Sequence, residues 1–139
     1  MRPADFDAAV IGEFRAHGGR VGGSLADTPL LLLGTTGART GRPRTTPLAY
    51  RREAERLYVI ASAGGAPAHP AWYLNLRAHP AVTVEVGTER FEATATVLVG
   101  ADRDRVFAAI VRHSPTAGEY QAMTGRTIPV VALDRRARP

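Results

Sequence analysis

The chain has 139 residues with 45% hydrophobic and 22% charged content, the balance of a globular domain with one core rather than of a disordered or fibrous chain. Its formal net charge is +5, all 18 basic residues are arginine, and cysteine is absent, which excludes disulfides and thiolate chemistry. No apolar run approaches the roughly 18 residues of a membrane span, and acids stand in MRPADFDAAVIGEF where a signal peptide carries cations, so the expected compartment is the cytoplasm.

Residues Asp5 to about His17 read as a helix, with Phe6, Val10 and Phe14 at i, i+4 and i+8 on one face. Gly18 and Gly19 stop it. That face either packs on the domain, covers a ligand, or makes peripheral contact with the inner face of the membrane, and its polar side is not strongly basic. Arg20–Thr28 is a Gly-containing loop. A barrel of strands is expected from about residue 29 to residue 134.

Leu30–Thr36 is a short apolar run bounded by turn signals, the pattern of a buried strand. A basic turn follows, with Arg39, Arg42 and Arg44 among glycines and small hydroxyls. Arginine presents a planar fork of donors that matches phosphate or carboxylate, and glycine lets backbone approach a ligand. Arg44–Tyr50 is the next strand, and Pro47 inside it marks an edge or a bulge. Arg51–Glu55 reads as a charged hairpin turn and Arg56–Ser62 as a third strand. Ala63–Pro70 is a loop punctuated by Gly64, Gly65, Pro67 and Pro70.

Pro70 suits the start of a short helix over Ala71–Ala78. Val82, Val84 and Val86 alternate with polar residues, Gly87-Thr88 turns the chain, and Phe91, Ala93, Ala95 and Val97 alternate on the way back. Asp102 is read as the cap of a helix with Val106, Phe107, Ile110 and Val111 on its face. Ser114–Gly118 reads as a break, Glu119–Thr124 as a helical turn and Thr127–Leu133 as a closing strand. The sum is one α+β, mainly β domain over residues 1–139. It has about six mostly antiparallel strands curled into a barrel, with helices on its rim.

The common catalytic signatures are missing. There is no G-x-G-x-x-G after a strand, no P-loop and no G-x-S-x-G elbow. His17, His69, His79 and His113 show no metal-ligand spacing, so no metal is expected. Low aromatic content (6%) and the lack of a recognisable module argue against nucleic acid. What remains suits a flat, anionic cofactor that carries the reaction itself. Its phosphate would sit on Arg39 and Arg44, and its ring near Trp72 and the Ser62–Ala63 backbone. The alternatives are a core tryptophan at position 72 and a strand-end serine bonding its own backbone at position 62.

Three segments, LLLLGTTGARTGRPRTTPLAY, YVIASAGGAPAHPAWYLNLRAHPAVTVEV and YQAMTGRTIPVVAL, resemble the deazaflavin (coenzyme F420)-dependent nitroreductases and F420H2-dependent quinone reductases. The resemblance runs from about Phe14 to Leu133. It implies a split β-barrel like that of flavin-binding reductases. It also implies a hydride transfer from C5 of reduced deazaflavin to an electron-poor acceptor, such as a quinone or a nitro compound. Carried over by position, the cofactor contacts fall on Ala38, Arg39 and Thr40, and on Arg44, Thr45, Thr46, Pro47, Leu48 and Ala49. They continue on Ile60, Ala61, Ser62 and Ala63, and on Ala71, Trp72, Tyr73, Leu74 and Asn75.

Tyr120 and Ser62 are the hydroxyls that could donate a proton. The chain departs from the family pattern at Ala63, where many members carry lysine. It departs again at Ser114 and Ala117, where the best-studied members place tyrosines over the substrate. FMN in the same barrel and a non-catalytic F420 carrier are the alternatives. The partner expected is a small-molecule acceptor, and monomer and homodimer both remain open.

Overall fold

Period-two alternation sorts the side chains of the strands into two faces, and most of the fold follows from covering both. A computed structural model describes residues 3–136. The elements in chain order are α1 (Pro3–Ala16), β1 (Leu30–Thr36), β2 (Pro43–Ala49), β3 (Arg51–Glu53), β4 (Arg56–Ile60) and α2 (Ala71–Ala78). Then come β5 (Ala81–Val86), β6 (Glu89–Val97), α3 (Gly100–His113), α4 (Pro115–Ala122) and β7 (Val130–Arg135). The strands form one sheet in the order β2-β1-β5-β6-β7-β4-β3, with every described pairing antiparallel.

The two edge strands, β2 and β3, are separated in sequence by Tyr50 alone. Consecutive Cα atoms lie about 3.8 Å apart, so the opposite edges of the sheet must meet there. The sheet therefore curls into a split barrel. Its inner face is apolar and buried, with Leu31 and Leu33 from β1, Leu57 and Val59 from β4, Val84 from β5 and Leu133 from β7. Helix α2 adds Trp72, Tyr73 and Leu76 to this core. Each large side chain so buried contributes roughly 1.5–3 kcal/mol.

The outer face is covered in two places. Val10 and Phe14 of α1 pack on Leu30 and Leu32 of β1, and Arg15 of α1 donates to both carboxylate oxygens of Glu85 at 3.1 and 2.8 Å. Val106 and Phe107 of α3 pack on Tyr58, Val130 and Ala132. The apolar stripe expected on the first helix is thus largely spent on the sheet, and Phe6 stands 44% exposed. Among the described residues no helix is long and apolar enough to cross a membrane.

Several local expectations need correction. The described residues form seven strands, because Arg51–Glu53 is an edge strand paired with Arg56–Tyr58 rather than a turn. Asp102 lies inside the first turn of α3, whose cap is Val99, so its carboxylate stands near the helix N-terminus rather than at the cap position. Ser114 alone is the break: Pro115 opens α4 at its first turn, where a missing N–H costs nothing. The last strand begins at Val130 rather than Thr127. Pro47 does lie on an edge strand, opposite Leu32.

Candidate functional site

Strand β2 pairs only with β1 and β3 only with β4 among the described strands, so the barrel is open where these edges approach. A cleft of about 800 Å³ occupies the opening, within the range of small-molecule and cofactor sites. One wall is the edge of β2, with Pro47, Leu48 and Ala49, running on through Tyr50, Arg51 and Arg52. The second is the outward face of β4 and its end, with Tyr58, Ile60 and Ser62. The third is helical, with Ile110 and His113 of α3, Ser114, and Thr116, Ala117 and Tyr120 of α4. Asp27, Thr28 and Pro29 close the remaining side.

The basic turn lies at the far end of β2. It is organised by backbone bonds, Gly37 N–H to the Arg42 carbonyl at 2.8 Å and Gly41 N–H to the Gly37 carbonyl at 2.9 Å. The Thr40 hydroxyl oxygen accepts from Arg42 N–H at 3.2 Å. Asn75 then ties the turn to α2. Its Oδ1 accepts from Ala38 N–H at 2.9 Å, and its Nδ2 donates to the Thr35 hydroxyl at 3.2 Å. Asn75 and Thr35 are both buried, so this exchange satisfies groups that water cannot reach. Arg39, Arg42 and Arg44 are left exposed. Among the described residues none of the three is paired with a carboxylate.

The loop after β4 is built differently. Ser62–Gly65 closes a tight turn, with Gly65 N–H donating to the Ser62 carbonyl at 2.9 Å. Ala63, Gly64 and Gly65 all take positive φ. A side chain at Gly65 would be strained by its φ of 83° and tight, because a Cβ there would stand 3.0 Å from Met123 Cβ and 3.1 Å from the Tyr120 carbonyl oxygen. Farther on, His69 lies against the Tyr73 ring at 4.7 Å. Burial, then the nearby Arg126 and Arg77 guanidinium groups, hold its imidazole below the usual histidine range. Neutral His69 can then accept at Nδ1 from Arg126, 3.1 Å away.

Of the residues singled out from the sequence, Pro47, Leu48, Ala49, Ile60, Ser62 and Tyr120 line the cleft, as do Ser114 and Ala117. Arg44 and Thr45 border a separate groove of about 280 Å³ at the end of the barrel, shared with Arg90, Glu92 and Arg136. Ala38, Arg39 and Thr40 project from the turn, and Ala63, Ala71 and Leu74 are exposed elsewhere. Thr46 is half-buried on β2, on the face that carries its partner Leu33. Ala61, Trp72 and Tyr73 belong to the core rather than the cleft wall, and Asn75 supports the turn from beneath. Tyr50, Arg51, Arg52, Tyr58, Ile110 and His113 line the cleft without having been anticipated. Tyr58 and Ile110 carried a signal, since Tyr58 sits on the outward face of β4 and Ile110 on the apolar face of α3 that packs over it.

A family model described as F420H(2)-dependent quinone reductase matches residues 9–135 of this chain. An F420H(2)-dependent quinone reductase of Mycobacterium tuberculosis is 42% identical over 127 residues, covering 88% of this chain and 85% of that protein. A solved structure described as an F420-H2 dependent reductase is 38% identical with a TM-score of 0.70, covering 76% of this chain and 94% of that one. Another, described as a domain-swapped dimer, is 35% identical with a TM-score of 0.73, covering 96% and 100%.

Proposed function

The chain belongs to the F420H2-dependent quinone reductase family, and on that premise we propose that it reduces a quinone with reduced coenzyme F420 held between the basic turn and the cleft. When bound, the reduced cofactor supplies a hydride from its C5 position to the acceptor. Fit is judged by two features. The cleft of about 800 Å³ has room for a flat ring system beside an acceptor. The exposed Arg39 and Arg44 have no carboxylate partner among the described residues, and they match a phosphate followed by acidic residues. The match of the family model across residues 9–135, on a chain that keeps both features, carries the reading.

In this reading the chain's residues bind, orient and exclude water. Arg39 and Arg44 hold the anionic tail. Ser62 and the backbone of Ile60–Ala63 face the ring, with Pro47, Leu48 and Ala49 on the opposite side. Trp72, Tyr73 and Asn75 act from behind, holding the core and the turn in register. Tyr58, Ile60 and Ile110 offer the acceptor an apolar wall. The Tyr120 hydroxyl is the group to hand a proton to the acceptor oxygen, with Ser62 as the second donor. Ala117 and Ser114, small residues at the helical wall, leave that wall open to acceptors of different shape, and nitro compounds are proposed as secondary substrates.

The test is turnover with purified protein, reduced F420 and a menaquinone analogue, with a nitroaromatic and reduced FMN in parallel. Quinone-dependent oxidation of F420H2 is expected, with slower nitro reduction and none from FMN. Oxidation of reduced FMN alone would move the protein to flavin chemistry. Binding of F420 with no turnover on any quinone would make it a carrier.

A further inference from the structure

Arg126 does not line the cleft, yet its guanidinium engages the cleft's loop at three points. Nη2 donates to the Ser62 carbonyl at 2.9 Å, Nε donates to the Ala66 carbonyl at 3.0 Å, and Nη1 lies 3.1 Å from His69 Nδ1. The Ser62 carbonyl therefore receives two donors, one from Arg126 and one from Gly65 N–H. The backbone of Arg126 is itself held. Its N–H donates to the Thr124 hydroxyl at 3.3 Å, and its carbonyl accepts from Gln121 Nε2 at 2.7 Å. Gln121 Oε1 also accepts from Ile128 N–H at 2.9 Å and from Arg103 at 3.1 Å. Arg103 in turn donates to the Ile128 carbonyl at 3.1 and 2.7 Å. A rigid fork on a fixed backbone thus reaches from the connection between α4 and β7 to the loop at the end of β4.

We propose that Arg126 is a positioning residue for the cofactor: it clamps the Ser62–His69 loop against the α4–β7 connection and so sets where Ser62 stands in the cleft. The proposal rests on the reading given under Proposed function. Geometry favours arginine over any other side chain here. The planar guanidinium serves two carbonyls and a ring nitrogen at once, whereas a lysine ammonium is a point charge without that fork. Gly65 makes the clamp tight, because its missing Cβ lets the loop settle directly on Met123 and the Tyr120 carbonyl. The two walls of the cleft that carry Ser62 and Tyr120 are thereby held at one spacing.

The experiment compares wild type with Arg126→Ala and Arg126→Lys. In cofactor-free protein, amide exchange at Gly65 and Ala66, whose N–H groups bond within the loop, is expected to quicken about tenfold or more in Arg126→Ala, while β1 and β7 amides stay near wild type. In turnover, KM for F420H2 is expected to rise about tenfold or more with kcat within about threefold, the loss of one or two charge-assisted bonds appearing as misplaced binding. Guanidinium salt is expected to restore part of the KM in Arg126→Ala. Arg126→Lys keeps the charge and loses the fork, and it should resemble Arg126→Ala in exchange and in KM; it also serves as the test should the alanine variant fail to fold. Unchanged loop exchange, an unchanged KM, or a fall in kcat alone in a folded variant would overturn the proposal. If wild type fails to oxidise F420H2, the functional reading fails instead, and the exchange comparison still decides the clamp.

Discussion

Two loops flank the proposed cofactor path, and each is pinned by one side chain reaching backbone groups, but with opposite chemistry. The turn at residues 37–42 is held from within the core by Asn75, a buried neutral amide that accepts from Ala38 N–H. The loop at residues 62–69 is held from outside by Arg126, a half-buried cation that donates to carbonyls. The first arrangement leaves the turn's own arginines exposed and uncommitted. The second commits the nearby arginine to structure, with its donors on the Ser62 and Ala66 carbonyls and against His69. The uncommitted arginines of the turn and the cleft wall at Pro47, Leu48 and Ala49 thus lie towards opposite ends of β2. Arg126 is spent on carbonyl oxygens, whereas Arg51 and Arg52 line the cleft itself.

The sharpest way to break this comparison is Gly65→Val. The φ of 83° and the contacts at 3.0 and 3.1 Å leave no place for a branched side chain. A loss of about 3 kcal/mol is expected from combined strain and overpacking, read as a fall in the thermal midpoint. A variant as stable as wild type would show that the loop is not seated on α4.

Arg44→Ala addresses the other end. Cofactor affinity should weaken by roughly 1.5–3 kcal/mol with stability unchanged, as for one charge-assisted contact. Equal F420 affinity in a titration would remove Arg44 from the clamp. Asn75→Ala should cost about 1–2 kcal/mol of stability, because Ala38 N–H and the Thr35 hydroxyl lose their partner, and it should loosen cofactor binding as a secondary effect. Chemical denaturation and cofactor titration on the same sample separate the two.

The smallest effect lies away from both loops and serves as a control. The Arg15 hydrogen bond holds the Glu85 carboxyl below the usual glutamate range, against the upward push of burial. Because Arg15 is 48% exposed, Glu85→Gln should cost only about 0.5 kcal/mol, and less in high salt. A depressed carboxylate stabilises the fold above its unfolded pKa and loses that contribution as pH falls through the folded value. The difference between wild type and Glu85→Gln should therefore vanish on acidification. Cofactor affinity should not respond at all.

Local chemistry made much of the fold legible. The valines of β5 and the alternation of β6 are period-two patterns that any half-buried strand requires, and Pro47 could stand only at an edge. The resemblance to F420-dependent enzymes was equally readable, because its three segments lie in order along the chain. Arg51–Glu53 escaped notice as a strand because three charged residues on an edge carry no hydrophobic signal. Ser114–Gly118 read as a break because proline is ambiguous between ending one helix and opening the next.

The family and the strands with a hydrophobic alternation were determined by the sequence itself, since each depends on residues near one another or on order along the chain. Only the tertiary structure decided which side chains share the cleft. Tyr58 and His113 line one cleft because α3 and α4 pack side chains against the outward face of the sheet, a contact between distant segments. Trp72, which looked suited to a ring, is drawn into the core because burying its large apolar surface is worth more there. Arg126 carries no signal in the sequence, because the partners that give it a role are the carbonyl oxygens of Ser62 and Ala66, and every residue has one.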